Sequence, residues 1–313
     1  MEFPNLVILY GGFGTEINGK QQMMIDGICT CGYREYAKNF GHIVYLCPQR
    51  VSKPWEHCLI TSKEVLAFIR KQPKNTIVWS VKHDDSKDKE VLKYLPNKKI
   101  YYSCCANNMY NDFADINLVD HISRVINKKC KLHLKGKDEN YWKPVNDPVY
   151  DYLLIGKRAD KNEIYFLERL RKEVNEKRRV FWIGGEKHKK EALNAIGSIH
   201  SIVCTPFSCQ EVVRNTISQA KVGILYTEHR AEGFPQSFLE MTMCGVPVIY
   251  PVTAPGIQNY FGEGINCMLT DKKHIISKAE YLLKNHNRET CREYAVKNYS
   301  LKLSYEWMIQ YVS

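Results

Sequence analysis

The sequence predicts an α/β protein made of two doubly wound, Rossmann-like domains. Short apolar runs of strand length alternate with amphipathic, helix-compatible stretches, a pattern typical of parallel sheets covered on both faces. The alternation breaks at a proline-containing segment, Tyr141–Pro148, and then begins again. The length of 313 residues suits two domains of roughly 150 residues each.

The first half, residues 1–147, opens on a strand, a glycine-rich turn and a predicted helix. The apolar run Leu6–Tyr10 ends at Gly11-Gly12-Phe13-Gly14, and we expect a helix from Asn18 to Phe40. The remaining predicted elements of this half are strands at Ile43–Leu46, Thr76–Val81 and Lys99–Ser103 and a helix at Lys63–Lys71.

The second half, residues 148–299, repeats the alternation. Strands are predicted at Tyr150–Ile155, Val180–Ile183, Ile199–Cys204, Val222–Tyr226 and Val246–Tyr250. Helices are predicted at Ile164–Lys177, Val212–Gln219, Pro235–Cys244, Lys272–Lys284 and Glu289–Asn298. A last helix over residues 300–313 contains Trp307 and Tyr311, which we expect to be packing anchors.

Charge and composition exclude several classes of protein. The chain has 45 Lys and Arg against 34 Asp and Glu, a formal charge of +11 that is spread over both halves. Diffuse positive charge suits DNA, acidic lipids and nucleotides alike. No apolar run approaches the roughly 18 residues of a membrane span, and the first residues do not resemble a signal peptide. The 12 cysteines lack zinc-site spacing, so we expect reduced thiols and a cytoplasmic location.

The most informative segment, Ala231–Ile249, contains two glutamates. Glu232 lies in a loop that leads into a helix, and Pro235 suits the first helical position. The backbone N–H groups of Gln236-Ser237-Phe238 would then be open to an anion such as a phosphate. Glu240, one turn inside the helix, places a carboxylate where sugar hydroxyls can donate to it.

This segment resembles the retaining glycosyltransferases of family 4, which have the GT-B fold. The resemblance rests on two glutamates separated by seven residues, with Gly233-Phe234-Pro235 after the first and a Cys-Gly-Val-Pro-Val-Ile run after the second. It extends to the glycine loop and to Gly156-Lys157-Arg158 with Lys161, which resembles the family's diphosphate-binding segment. The family fold implies two Rossmann-like domains that face a central cleft, with the last helix crossing back to the N-terminal domain.

The resemblance implies that the N-terminal domain binds the acceptor and the C-terminal domain binds a nucleotide-sugar donor. Glu232 would contact the transferred sugar, and Arg158 or its neighbour, together with Lys161, would neutralise the leaving diphosphate. His83 is the candidate on the acceptor side. The expected donor-binding residues are Gly12, Gly14, Gly156, Lys157, Gly233, Phe234, Pro235, Gln236, Ser237, Phe238 and Glu240.

The resemblance implies that the reaction uses neither a cofactor nor a metal, because protein cations neutralise the leaving diphosphate. A UDP- or GDP-sugar would donate a hexose to a glycan, a lipid-linked sugar or a small molecule. One alternative is a viral-type enzyme that glycosylates modified DNA bases, and another is a catalytically decayed protein that only binds sugar nucleotides. Membrane or DNA contact through the N-terminal domain is suggested by a basic run made of Arg124, Lys128, Lys129, Lys131, Lys135, Lys137 and Lys143.

Overall fold

A computed structural model describes residues 6–11, 14–17, 20–23, 41–46, 58–59, 62–82, 93–103, 110–119, 127–133, 136–156, 161–206, 208, 210–226, 235–251 and 261–312. These residues form two units. One contains the described residues up to Asp138 together with those from Leu301 onward, and the other contains the described residues from Glu139 to Ser300.

The first unit is built on a seven-stranded parallel sheet with the strand order β5-β4-β1-β6-β7-β8-β9. A two-stranded antiparallel hairpin, β2-β3, follows β1 in the chain. The elements are β1 (Leu6–Gly11), β2 (Gly14–Ile17), β3 (Lys20–Met23), β4 (Gly41–Leu46), β5 (Cys58–Leu59), α1 (Ser62–Arg70), β6 (Ile77–Lys82), β7 (Lys99–Ser103), β8 (Ile116–Val119) and β9 (Cys130–Leu132).

The second unit is built on a six-stranded parallel sheet with the order β12-β11-β10-β13-β14-β15. Its elements are β10 (Tyr150–Ile155), α2 (Lys161–Glu173), β11 (Arg179–Ile183), α3 (Lys189–Ile196), β12 (Ser201–Thr205), α4 (Gln210–Ser218), β13 (Ala220–Ile224), α5 (Gln236–Met243), β14 (Val248–Pro251), β15 (Cys267–Thr270), α6 (Ile275–Asn285) and α7 (Arg288–Tyr299). Helix α8 (Leu301–Val312) belongs to the first unit.

The predicted α/β fold with two doubly wound sheets is confirmed, and the last helix crosses back as expected. At the start of α8 the backbone N–H of Leu301 donates to the carbonyl of Lys137 (2.8 Å). The hydroxyl of Tyr311 donates to the carbonyl of Leu132 (3.0 Å), so this side chain is a packing anchor as predicted. In the described chain, no helix combines the length and the apolarity needed to cross a membrane.

The predicted helix from Asn18 to Phe40 is wrong at its beginning, where the structure has the β2-β3 hairpin. Gly14 pairs with Met23 and Ile17 with Lys20, so the two strands are antiparallel and the chain reverses between Ile17 and Lys20. The Asn18-Gly19 pair between two short runs is a strong short-range hairpin signal in the sequence, and it favours the hairpin over a helix at this point. The strands β5, β8, β9 and β15 and the helix α3 were also not predicted.

The sheet of the second unit packs on apolar faces of its helices. Helix α2 buries Phe166, Leu167 and Leu170, which recur at helical spacing, against buried residues of the sheet that include Leu154 and Trp182. The five described cysteines with assigned burial, four of them buried, are free thiols, and burial raises the pKa of Cys244 to about 12.

A charged network ties strand β10, helix α6 and the start of β11 together. The guanidinium of Arg178 donates to both carboxylate oxygens of Glu280 (2.9 and 2.7 Å), and the hydroxyl of Tyr152 donates to the same carboxylate (2.6 Å). Burial acts to raise the pKa of Glu280, but the hydrogen bonds from Arg178 and Tyr152 outweigh it and lower that pKa. Arg178 also pairs with Glu176 (2.6 Å), whose side chain is 70% exposed, whereas that of Glu280 is 16% exposed.

We predict that Glu280→Ala lowers the free energy of unfolding by about 3 kcal/mol, because it leaves a buried guanidinium without its main partner. Glu176→Ala removes the exposed carboxylate from the same guanidinium and should cost less than about 1 kcal/mol. Urea denaturation of the two variants measures the difference. Equal losses would show that the buried pair is not the one that stabilises the unit.

We also predict that acid weakens the fold through His200, which is 5% exposed. Its Nδ1 accepts from the backbone N–H of Arg178 (3.2 Å), and burial, with the charge of Arg178, lowers its pKa. The unfolded chain therefore binds this proton at higher pH than the folded chain. The contribution of neutral His200 to the free energy of unfolding is therefore present above about pH 6.5 and is lost as the pH falls below that value.

The measurement is the free energy of unfolding at roughly pH 7.5 and 5.5, on either side of the ordinary histidine pKa. In His200→Asn the amide oxygen can accept the same N–H but does not titrate. This variant should lose less stability over the interval than the native chain. An identical loss in both proteins would remove His200 as the cause.

Candidate functional site

The candidate site lies at the carboxyl edge of the second sheet. Strands β10 and β13 are neighbours, and the chain leaves them toward opposite sides of the sheet, to β11 and to β14. In open α/β sheets ligands bind outside the carboxyl ends of the strands at such a switch point. The residues that follow β10 and β13 are therefore the first candidates for a ligand site.

Hydrogen bonds hold the beginnings of three loops along this edge. The backbone N–H of Gly156 donates to the carbonyl of Ile183 (3.1 Å), and that of Gly184 donates to the backbone carbonyl of Thr205 (2.7 Å). The N–H of Leu225 donates to Ile249 (3.0 Å). Gly156 is thus placed at the end of β10 as predicted, directly before the segment that carries the expected diphosphate-binding cations.

Some of the predicted site residues lie outside the described part of the chain. Lys161 is the first residue of α2, which places its backbone close in sequence to the end of β10. Gly14 begins the hairpin strand β2. The predicted site residues outside the described ranges are Gly12, His83, Lys157, Arg158, Glu232, Gly233 and Phe234. Gly12 and His83 follow directly in sequence from the ends of the neighbouring strands β1 and β6.

The entry into helix α5 differs from the prediction by one residue. Pro235 is the N-cap, with φ −70° and ψ 142°, and not the first helical residue. Its carbonyl accepts from the backbone N–H of Phe238 (3.1 Å), so the expectation that this N–H is open to an anion is wrong. The N-cap residue Pro235 makes no side-chain capping hydrogen bond, and the first turn of α5, at Gln236 and Ser237, has the local backbone geometry of a helix end that can bind an anion.

Phe238 has a packing role in this helix. Its side chain is fully buried, and its ring contacts those of Tyr250, Phe261 and Tyr299 at centroid distances of 5.9, 4.8 and 6.2 Å. Glu240 follows on the next half-turn and is half-buried. The aromatic cluster therefore fixes the first turn of the helix that carries the predicted ribose-binding carboxylate.

The other end of α5 is held by two arginines of α7. Arg292 Nη1 donates to the carbonyls of Trp142 (2.8 Å) and Met243, and its Nη2 donates to Glu139 (2.8 Å). Arg288 Nε donates to the backbone carbonyl of Cys244 (3.2 Å). Its two terminal nitrogens donate to the backbone carbonyls of Asn146 (2.9 Å) and Ser218 (2.6 Å). These positioning residues were not predicted, because arginines that bind backbone carbonyls leave no sequence pattern. Burial lowers the pKa of both guanidinium groups.

Among the described residues, no group of three or more His, Cys, Asp and Glu side chains is arranged to hold a metal ion. Within the described part of the chain, the potential ligand-binding groups in the segments that follow β10 and β13 are backbone N–H groups, Lys161 and the carboxylate of Glu240. This donor set suits an anionic ligand that also carries hydroxyl groups.

A family model matches most of the second unit. Residues 150–285 match the family model described as Glycosyl transferases group 1. The match begins at the first residue of β10 and ends at the last residue of α6, so it covers the sheet of the second unit and helix α5. No curated protein matches the chain.

Solved structures match almost the whole chain at low sequence identity. A glycosyltransferase from Rickettsia africae has a TM-score of 0.67 and 12% identity, with 98% of this chain and 97% of that chain covered. An α-glucosyltransferase in complex with UDP and a 13-mer DNA containing an HMU base has a TM-score of 0.68 and 10% identity, with 99% of each chain covered. Anabaena HepE in complex with UDP-glucose has a TM-score of 0.62 and 10% identity, with 98% and 99% covered. At these identities the likeness shows the fold, which is the predicted GT-B architecture of two Rossmann-like units.

We predict that Arg292→Lys lowers the free energy of unfolding by about 2 kcal/mol, because an ammonium cannot reach three carbonyls as a planar guanidinium does. Arg171→Lys is the matched control. Arg171 is exposed and donates to one carbonyl, that of Asn194 (3.1 Å), so its loss should stay below about 0.5 kcal/mol. Urea denaturation compares the two, and equal stabilities would contradict the role given to Arg292.

Proposed function

We propose that the chain is a retaining glycosyltransferase that moves a hexose from a UDP- or GDP-sugar to a hydroxyl group of a glycan, a lipid-linked sugar or a small molecule. The second unit binds the donor and the first unit binds the acceptor. The observation that carries the proposal is the family match over residues 150–285, which contains both glutamates and the cations after β10. We further propose that the enzyme is cytoplasmic and uses no metal.

In the proposed donor complex, Glu240 accepts hydrogen bonds from the ribose hydroxyls and Glu232 contacts the transferred sugar. The backbone at Gly156 and the first turn of α5 approach the diphosphate, to which Lys161 and Lys157 or Arg158 bring positive charge. Because α5 is fixed at both ends, the distance between the diphosphate and ribose positions is set by the rigid helix.

The proposed reaction breaks the bond between the anomeric carbon and the diphosphate oxygen and forms a bond to the acceptor oxygen on the same sugar face. The acceptor proton passes to the leaving phosphate oxygen, so a strong protein base is not required. The negative charge that develops on the diphosphate is stabilised by the cations and N–H groups named above. His83 is the proposed acceptor-side residue.

The DNA-modifying alternative is less well supported by the surface of the described residues. Lys137, one of the seven members of the basic run, is 1% exposed, and Lys143 belongs to the second unit. The sequence suggested that this run forms one basic surface of the N-terminal domain, and the positions of Lys137 and Lys143 show that it does not. A DNA acceptor predicts duplex binding that weakens steeply with salt, which a filter-binding titration would detect.

We predict that UDP or GDP raises the melting temperature of the protein in a panel that also contains ADP and CDP, because a ligand of the native state stabilises it by mass action. Glu240→Gln should weaken binding of that nucleotide by roughly 10- to 100-fold, the value of hydrogen bonds to a charged group. Glu168→Gln, which changes an exposed glutamate of α2, is the matched control and should bind normally.

Three results would contradict parts of this proposal. No response to any nucleotide would exclude the donor assignment, and full affinity in Glu240→Gln would exclude the role of that carboxylate. If the nucleotide binds but the matching nucleotide sugars are neither hydrolysed nor used for transfer, the chain is a sugar-nucleotide-binding protein and not an enzyme.

A further inference from the structure

Four loops of the first unit lie together at the end of its sheet opposite to the carboxyl edge. Residues 71–76, 93–98, 110–115 and 127–129 directly precede strands β6, β7, β8 and β9, which are consecutive neighbours in a parallel sheet. The amino ends of parallel strands meet at one edge, so the four loops form one surface, which we call the amino-edge surface.

Side-chain contacts join each loop of this surface to the next. The amide of Asn97 donates to the carbonyl of Thr76 (2.9 Å), linking the first two loops. Lys93 Nζ lies 5.8 Å from the ring centroid of Phe113, linking the second to the third. Lys129 Nζ donates to the carbonyl of Asp112 (3.5 Å), linking the third to the fourth. The surface is therefore continuous across four strands.

The amino-edge surface is both basic and aromatic. Its six lysines are all exposed, against two aspartates, and they are Lys71, Lys74, Lys93, Lys98, Lys128 and Lys129. Two large rings protrude among them: Tyr94 is 56% exposed and Phe113 is 42% exposed. The ammonium of Lys93 lies within 6 Å of both ring centroids, 5.6 Å from Tyr94 and 5.8 Å from Phe113. Exposed aromatic rings that lie next to each other among positively charged side chains mark an interaction surface.

We propose that the amino-edge surface docks the protein on an anionic lipid bilayer. Lysines on flexible stems attract an anionic leaflet, and rings such as those of Tyr94 and Phe113 enter the headgroup region, where amphipathic and aromatic side chains are stable. The surface carries lysines, which act as point charges, and has no arginine fork for phosphate or base recognition among its described residues. This composition favours a lipid surface over a nucleic acid.

The position of this surface also separates docking from substrate binding. Strand β7 has five residues, so the two edges of the sheet are roughly 17 Å apart along the strands. A bilayer against the amino edge would leave the carboxyl edge of the same sheet, where Gly12 and His83 follow β1 and β6, pointed away from the lipid. Docking would therefore concentrate the protein at a membrane and would not by itself insert a lipid headgroup into the site. The inference is independent of the transferase activity.

The test is co-sedimentation of the full chain with vesicles of phosphatidylglycerol and phosphatidylcholine, and with vesicles of phosphatidylcholine alone, at low and high salt. We expect binding to the anionic vesicles at low salt that decreases at high salt. Because each lysine near such a surface is worth roughly fivefold in partitioning, Lys128→Glu with Lys129→Glu should weaken binding at least tenfold. Tyr94→Ala with Phe113→Ala should weaken it while leaving the salt dependence in place.

Matched controls come from the second unit. Tyr281 is 52% exposed, and Lys177 and Lys190 are exposed lysines, so Tyr281→Ala and Lys177→Glu with Lys190→Glu make the same chemical changes elsewhere. These controls should bind vesicles normally, and the nucleotide-induced shift in melting temperature should be unchanged in every variant. A cooperative thermal unfolding transition without nucleotide shows that each variant is folded; if the aromatic variant does not fold, the charge variant alone decides.

Several outcomes would overturn the proposal. The first is equal binding to neutral and anionic vesicles, or none to either. The second is binding that the control substitutions reduce as much as the amino-edge ones. The third is binding of single-stranded or duplex DNA that Lys128→Glu with Lys129→Glu abolishes, without vesicle binding, which would assign the surface to nucleic acid.

Discussion

The end of helix α5 depends on two guanidinium groups that satisfy buried main-chain carbonyls. The last carbonyls of a helix have no partner within the helix, and Met243 and Cys244 at this end are fully buried. Water cannot satisfy these groups, so Arg288 and Arg292 of α7 do so. The same side chains bind carbonyls of the segment that begins the second unit, at Glu139, Trp142 and Asn146, which fixes that segment and α5 to one helix.

This arrangement explains how the unit combines a rigid platform with loops that carry the chemistry. Helix α5 is held by the Phe238 cluster at its beginning and by the arginines at its end, and Glu240 lies between them. Of the residues expected to contact the donor, Lys157, Arg158 and Glu232 belong in sequence to the segments after β10 and before α5, whereas Lys161 and Glu240 belong to helices. Functional groups on loops that a rigid scaffold positions are a common design, because loops can vary without changing the core. The candidate donor site follows this division.

Different physical signals account for what the sequence predicted and what it did not. The strand Tyr150–Ile155 is an apolar run interrupted only by Asp151, and the prediction matches its bounds. Strands of three or four residues, such as Cys130–Leu132, are too short to show a period. The hairpin after β1 has a sequence signal at Asn18-Gly19, but the glycine loop before it favours a helix, so two local signals conflict here. The packing role of Phe238 and the carbonyl partners of Arg288 and Arg292 depend on tertiary contacts, which no local pattern reveals.

The positive charge of the chain serves several separate purposes, so its total does not identify a partner. Arg178, Arg288 and Arg292 are used inside the second unit, on a buried carboxylate and on backbone carbonyls. Lys137 is buried beside the start of α8. Most of the exposed lysines among the described residues of the first unit lie just before the amino ends of its strands, whereas the cations proposed to bind a diphosphate follow the carboxyl end of β10 in sequence. A parallel sheet has two edges with different loops, and charge at one edge cannot contact a ligand bound at the other. A net charge of +11 therefore has to be divided among the edges of the two sheets before it predicts a partner, because the amino-edge lysines and the cations proposed to bind a diphosphate belong to different edges of different sheets.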